Sequence, residues 1–394
     1  MIALEGLSID PQPANGEDMH MPTGTKGGKS RQGRAGVKAA TAKRTTSRSR
    51  ATAKAAAPAP AGRTNAVRPG TSRSTRRTTT RAVASASARR AASRTALVAS
   101  AAPAAAARDS NAIPVQVVTV TDVYSGDPGS SPGSAEFAYR ILAEGDSWFT
   151  IGGIPSSNLL YEMRLPQPAI VCNIAYPGDT LKHIAELAAN QDLKKLMSDR
   201  FGYRWHAILL SAGGNDLMDR APQLVRNAGD GSGDPRDYLV TEQLEKFVHD
   251  LQDGFRTIVG LRDAAPSANH GVPIVVHGYD YPTPRNAPAR FFAVPLLGPW
   301  LHRAFDDQQI DDAMRIPITD FLADVLAEAI RALATPPYAL PDFHFVDTRG
   351  ALERAAAGTT GTSGDWLNET HPSHAGYRKI AAKLSAKLVG LLAD

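Results

Sequence analysis

Tyr139-Arg140-Ile141-Leu142-Ala143-Glu144-Gly145-Asp146-Ser147-Trp148-Phe149 decides how this chain is read. A short apolar run stops at a Gly, turns through two polar residues and enters an amphipathic stretch. Four further runs behave alike: Ala169–Ala175, Ala207–Ser211, Pro273–Gly278 and Phe343–Asp347. Each is short, rich in Ile, Val or Leu, and followed by Gly, Asp or Asn. Strands of a parallel sheet buried on both faces read this way.

The intervening segments carry helical periodicity. Leu244, Phe247, Val248, Leu251, Phe255, Ile258 and Val259 recur at three and four residues, which is one helix face. Phe321, Val325, Ile330 and Leu333 follow the same period less strictly. Tyr377, Ile380, Ala381, Leu384, Leu388 and Leu391 make a last stripe, with Ser373 placed as its N-cap. Alternating strands and helices imply right-handed crossovers and an α/β fold: a three-layer α/β/α sandwich around a mainly parallel, five-stranded sheet. In such sheets a ligand site lies beyond the carboxyl ends of the strands.

Four polar, Gly-bearing blocks fall at those ends. They are Gly145-Asp146-Ser147, Tyr176-Pro177-Gly178-Asp179, Gly213-Gly214-Asn215-Asp216 and Asp365-Trp366-Leu367-Asn368-Glu369-Thr370-His371-Pro372. Ser147, between a buried strand and a helix start, is placed where free N–H groups favour developing negative charge. A serine needs a neighbouring base to act as a nucleophile, and His371 is the candidate. The N–H of Ser147, the N–H of Gly178 and the side-chain amide of Asn215 are candidate donors to an oxyanion.

Together and in this order the four blocks resemble the SGNH (GDSL-like) hydrolase family over about residues 138–394. The match rests on G-D-S at Gly145–Ser147, on Gly178, on G-x-N-D at Gly213–Asp216 and on H-P at His371–Pro372. The resemblance implies a flavodoxin-like sandwich and cofactor-free, metal-free hydrolysis of carboxylic esters through an acyl-serine. It further implies Ser147 as nucleophile, His371 as base, and Gly178 and Asn215 as oxyanion donors. The substrates expected are short acyl, acetylated-sugar or lipid-like esters.

The chain departs from that family at one position. Three residues before the histidine, where an Asp is usual, stands Asn368. Its carbonyl oxygen can accept from the imidazole and fix the tautomer, but it brings no charge to stabilise an imidazolium. Asn368 is the positional choice for orienting His371, with Asp365 second. Glu369 is disfavoured because adjacent side chains on an extended segment point to opposite faces.

Other polar groups take structural readings. Asp146 is expected to bond local backbone, Asp179 and Asp216 to serve turns or helix starts, His374 to sit in the last helix's first turn, and Cys172 to pack in the core. Gly129-Ser130-Ser131-Pro132-Gly133 matches a G-x-S-x-G nucleophile elbow, but Pro132 lacks the N–H that elbow requires. Residues 217–238 read as a mobile loop, and 281–312 as a lid, an acyl-binding wall or an accessory helix.

Outward from this region the composition changes. Residues 1–110 hold 20 Lys/Arg and 5 Asp/Glu, whereas 111–394 hold 24 and 34, and all 25 aromatic residues lie at or beyond Tyr124. A segment so poor in large apolar residues does not offset its ordering entropy, and a disordered basic tail is expected over 1–110. Residues 111–136 form a strand-like segment, Val115–Tyr124, and a linker. The tail suits a polyanion such as nucleic acid or an anionic surface. The alternative to the esterase is therefore a non-catalytic polyanion-binding protein whose function lies in the arm. Gly24–Ser30 approaches a phosphate-binding loop but is one residue short and follows no strand. One Cys excludes an intramolecular disulfide, no Cys/His cluster suggests zinc, and no apolar run reaches the roughly 18 residues that span a bilayer. The first residues, with an early Glu5 and no apolar stretch, predict a cytoplasmic protein.

Overall fold

The computed structural model describes residues 112–393, apart from 151–156, 187–189, 201, 230 and 292–293. The basic segment 1–110, with its expected disorder and polyanion contacts and the Gly24–Ser30 motif, lies outside the described residues.

Six strands form one sheet: β1 (Gln116–Thr119), β2 (Tyr139–Gly145), β3 (Ala169–Asn173), β4 (Ala207–Ser211), β5 (Ile274–His277) and β6 (Phe343–Val346). Their spatial order is β6-β5-β4-β2-β3-β1, and every neighbouring pair is parallel. The five runs expected from sequence are β2–β6. The sheet has a sixth member because Val115–Tyr124, read as a strand-like piece ahead of the linker, supplies the edge strand β1. Val117 and Val118 pair with Val171 and Cys172, while the residues after Thr119 turn into a helix, Val120–Val123.

Strand alternation sends side chains to two cores. Leu142, Ile170, Cys172, Ile208, Leu210, Ile274 and Val276 belong to one, and Ile141, Ala143, Val171, Ala207, Leu209 and Val275 to the other. Among helices of seven residues or more, α1 (Gln191–Met197), α2 (Gly214–Leu224), α3 (Thr241–Asp263), α4 (Leu301–Asp307) and α5 (Asp312–Ala332) contribute to the first core. The last helix, α6 (His374–Leu392), covers the second with Tyr377, Ile380, Leu384 and Leu388. The result is the expected three-layer sandwich. Ser373 caps α6 by accepting from Gly376 N at 3.3 Å, and Cys172 is buried, its thiol pushed up to about 12 by desolvation.

The chain runs from β2 outward to β3, then back across β2 to β4. That reversal opens a crevice at the carboxyl ends of β2 and β4, where open α/β sheets bind ligands.

Two segments differ from expectation. Residues 217–224 are not loop: α2 continues through them, burying Leu217, Ala221 and Leu224 on one face. The polar Asp219-Arg220 pair and Pro222 obscured that period in the sequence. The apolar run from Phe291 forms not a helix but an antiparallel hairpin, Ala289–Phe291 with Val294–Leu297, followed by α4. Among the described residues no helix is long and apolar enough to cross a membrane.

Candidate active site

The last register pair of β2 and β4 is Gly145 with Ser211. Gly145 has φ +151°, and a Cβ there would stand 2.4 Å from the Ser211 carbonyl oxygen, so the two strand ends meet this closely only without a side chain. The chain then turns, with Asp146 N donating to Ser211 O at 3.0 Å, into the helical residues Ser147–Thr150. Ser147 is thereby set on the crevice floor, 7% exposed.

His371 comes from the loop between β6 and α6. Its Nε2 lies 2.8 Å from Ser147 Oγ, and its Nδ1 lies 3.0 Å from Asn368 Oδ1. The same Oδ1 accepts from Thr370 N at 3.0 Å and His371 N at 2.9 Å. Two backbone N–H groups can only donate, which fixes which end of the amide faces the ring. The imidazole therefore carries its proton on Nδ1 and turns the Nε2 lone pair to the serine. Thr370 Oγ1 also lies 3.2 Å from Nδ1. Burial with no carboxylate on the ring pushes His371 down to about 4, so it is a neutral base throughout the mildly acidic and alkaline range.

The two carboxylates nearest Asn368 in the chain, Asp365 and Glu369, face elsewhere. Asp365 accepts from Glu353 N at 2.6 Å and Lys379 Nζ at 2.5 Å, bracing the loop against α6. Glu369 is fully buried and accepts from Arg285 N at 3.3 Å, His302 N at 2.7 Å and Trp300 N. It thus ties the segment leading into α4 to the histidine loop. Desolvation raises its carboxyl to about 7. Arg285, also buried, donates to the Asn368 carbonyl at 2.7 Å and holds the loop from behind. His374 begins α6 and, half exposed, pairs with the buried Glu162 at 2.6 Å.

The second and third blocks are joined to each other and to the first. Tyr176 N donates to Gly145 O at 2.9 Å, and Leu181 N to Asp216 Oδ2 at 2.7 Å, so Asp216 serves the start of the Leu181–Ala185 helix. Asn215 Nδ2 donates to the Asp179 carbonyl at 2.9 Å, leaving its second N–H for the crevice. Gly178, one residue before Asp179, is exposed with φ +88°. Neither the Ser147 N–H nor the Gly178 N–H donates to an acceptor among the described residues. Asp179 pairs with His183 at 2.7 Å.

Ser147, Asn215 and His371 line one open cleft. Its walls are apolar: Leu217 and Met218 from α2, Leu301 from α4, Leu322 and Leu326 from α5, and Trp366. Segment 281–312 thus contributes wall residues, Pro282 and Leu301. The polar groups on the lining are largely satisfied by the fold itself. Thr319 Oγ1 donates to Arg315 O at 2.8 Å, and the Asp280 carboxylate accepts from Tyr281, Gly350 and Leu352 N–H groups, each at 2.7 Å.

Sequence reasoning passed over Tyr279 and Asp280, which also line the cleft. They follow β5 as the Ser147 and Asn215 blocks follow β2 and β4, and that position was the available signal. Among the described residues no cluster of three or more His, Cys, Asp or Glu is placed to hold a metal ion.

No family model matches the chain, and no curated protein matches it. Among solved structures it is similar to a lipase from a goat rumen metagenome, at 14% identity and TM-score 0.39, over 63% of this chain and 97% of that one. It is similar to an extracellular lipase of Streptomyces rimosus at 16% identity and TM-score 0.37, over 63% and 99%. An aryl esterase of M. smegmatis shares 14% identity at TM-score 0.34, over 64% and 100%.

Proposed function

We propose that the chain is a serine hydrolase of the SGNH type that cleaves carboxylic esters through an acyl-serine. One observation carries the reading: a serine, a tautomer-fixed histidine and an asparagine stand in hydrogen-bonded series, 2.8 and 3.0 Å apart, on the floor of an apolar cleft.

His371 Nε2 takes the Ser147 hydroxyl proton as Oγ bonds to the ester carbonyl carbon, and the carbonyl π pair moves onto oxygen. That oxyanion is met by the Ser147 N–H, the Gly178 N–H and the second Asn215 amide N–H. Collapse breaks the bond to the leaving oxygen, which takes the proton from Nε2. Water, deprotonated by the same nitrogen, then attacks the acyl carbon and releases the acid and Ser147. Asn368 keeps the proton on Nδ1 throughout and leaves the transient imidazolium without a counter-charge. The apolar walls suit an uncharged ester.

Hydrolysis of p-nitrophenyl acetate, butyrate and octanoate by the full chain, beside Ser147→Ala, tests the reading. Turnover that the substitution abolishes is expected; equal rates for the two proteins refute it.

A further inference from the structure

Asp146 precedes the serine, and its carboxylate is buried at 1% exposure with no cation paired to it among the described residues. Oδ1 accepts from Ser211 Oγ at 2.6 Å and from Trp148 N at 3.0 Å, while Oδ2 accepts from the Tyr279 hydroxyl at 2.5 Å. The residue before Ser147 and the N–H after it are therefore held by one carboxylate, and that carboxylate is held by Tyr279 and Ser211. Tyr279 reaches it from the end of β5. Its ring packs edge-on against Trp148 at 4.8 Å and lies over Gly214, where a Cβ would come within 2.7 Å of the ring. One side chain thus touches the nucleophile turn, the Asn215 block and the cleft.

We infer that Tyr279 is a positioning residue for Ser147: its hydroxyl fixes the Asp146 carboxylate, which in turn sets the backbone that presents the Ser147 hydroxyl to His371 and its N–H to the oxyanion. This rests on the reading of Ser147 as nucleophile. The ring alone meets the packing requirement, because Phe would fill the same space against Trp148 and Gly214. What the hydroxyl adds is the bond to Asp146.

The arrangement needs Asp146 ionised, since a protonated carboxyl must itself donate to a group that now donates to it. Burial raises this carboxyl to about 6, and the Ser211 and Tyr279 hydrogen bonds hold it lower than burial alone would. The other groups acting on it are Asp216 from α2, which raises it further, and the neutral phenol of Tyr377 from α6. His277 is buried beside Trp148 and Tyr279, and burial keeps it neutral down to about 4. His371, at about 4, titrates well below Asp146.

The test measures kcat and KM for p-nitrophenyl acetate from pH 4 to 9 on the full chain, Tyr279→Phe and Asp146→Asn, with thermal unfolding of each. Tyr279→Phe is expected to lower kcat roughly tenfold, with KM within about twofold, because a sub-ångström misplacement of the nucleophile acts on the chemical step. Its acid limb moves to higher pH, since the lost hydrogen bond favoured the charged carboxylate. Asp146→Asn loses the limb near pH 6 and keeps the one set by His371; it carries the test by itself where Tyr279→Phe fails to fold. Wild-type kcat and an unmoved limb in Tyr279→Phe overturn the inference, as does an acid limb near 6 that survives in Asp146→Asn. Both results leave Ser147 as the nucleophile. A wild-type chain that neither turns over ester nor is labelled at Ser147 by a fluorophosphonate instead removes the hydrolase reading, and this inference with it.

Discussion

Asn368→Asp adds a charge where the site has only a dipole. Asn368 Oδ1 lies 3.0 Å from His371 Nδ1 and is held there by two backbone N–H groups that an aspartate would keep. A unit charge about 4 Å from an imidazolium, at an effective dielectric of about 20, contributes about 4 kcal/mol. Burial of the new carboxylate, at a position 6% exposed, takes back part of this. Opposite charges at this range shift a titration by about 1–3 pH units. His371 should therefore move from about 4 into the range of about 5–7. Titration of the His371 ring by NMR, with one imidazole carbon labelled, reads this directly and is independent of turnover. Because the imidazolium forms in the transition state, about tenfold in kcat should accompany the shift at pH 8. A wild-type His371 that titrates near the unperturbed value, or an Asn368→Asp variant that leaves it unmoved, refutes the reasoning.

Three further outcomes follow from particular contacts. Gly214→Ala drives a methyl to within 2.7 Å of the Tyr279 ring, so a stability loss of about 1–3 kcal/mol is expected in denaturant melts, with activity falling more than stability explains. Glu369→Gln turns one acceptor into a donor facing backbone N–H groups of Arg285, Trp300 or His302. The wall residue Leu301 then loosens, and KM should rise about tenfold while kcat changes less. Glu144 is 1% exposed, and its carboxyl is raised to about 8 by burial. Its raised value adds stability that is fully present below the unfolded carboxyl's titration and is lost as pH rises through about 8. The melting temperature should therefore fall between pH 6 and 9, and fall less in Glu144→Gln.

The sequence was legible where burial is two-sided. Ile141-Leu142-Ala143 and Ile208-Leu209-Leu210 face a core above and a core below, so every position is apolar and the strands stand out. β1 was harder, because an edge strand is apolar only where it touches β3 and exposes the rest: Gln116 and Thr119 are exposed. Placing it in the linker region left the sheet one strand short. The four blocks were legible because each pairs a strand end with Gly or Asn in a fixed order. Choosing Asn368 over Glu369 followed from the alternation of an extended segment, and the structure turns Glu369 to the opposite side, onto α4. Tyr279 was not legible because it meets Asp146 across 133 residues, a contact that needs both the β2–β4 and the β4–β5 registers.

The proposed ester hydrolysis passes through a covalent bond to Ser147. Rapid mixing of the full chain with excess p-nitrophenyl acetate, quenched in acid and followed by mass spectrometry of the Ser147 peptide, tests it most directly. An acetylated Ser147 is expected that forms and decays at rates consistent with turnover and is lost in His371→Ala. Turnover with an unmodified Ser147, or acetylation unaffected by His371→Ala, contradicts it.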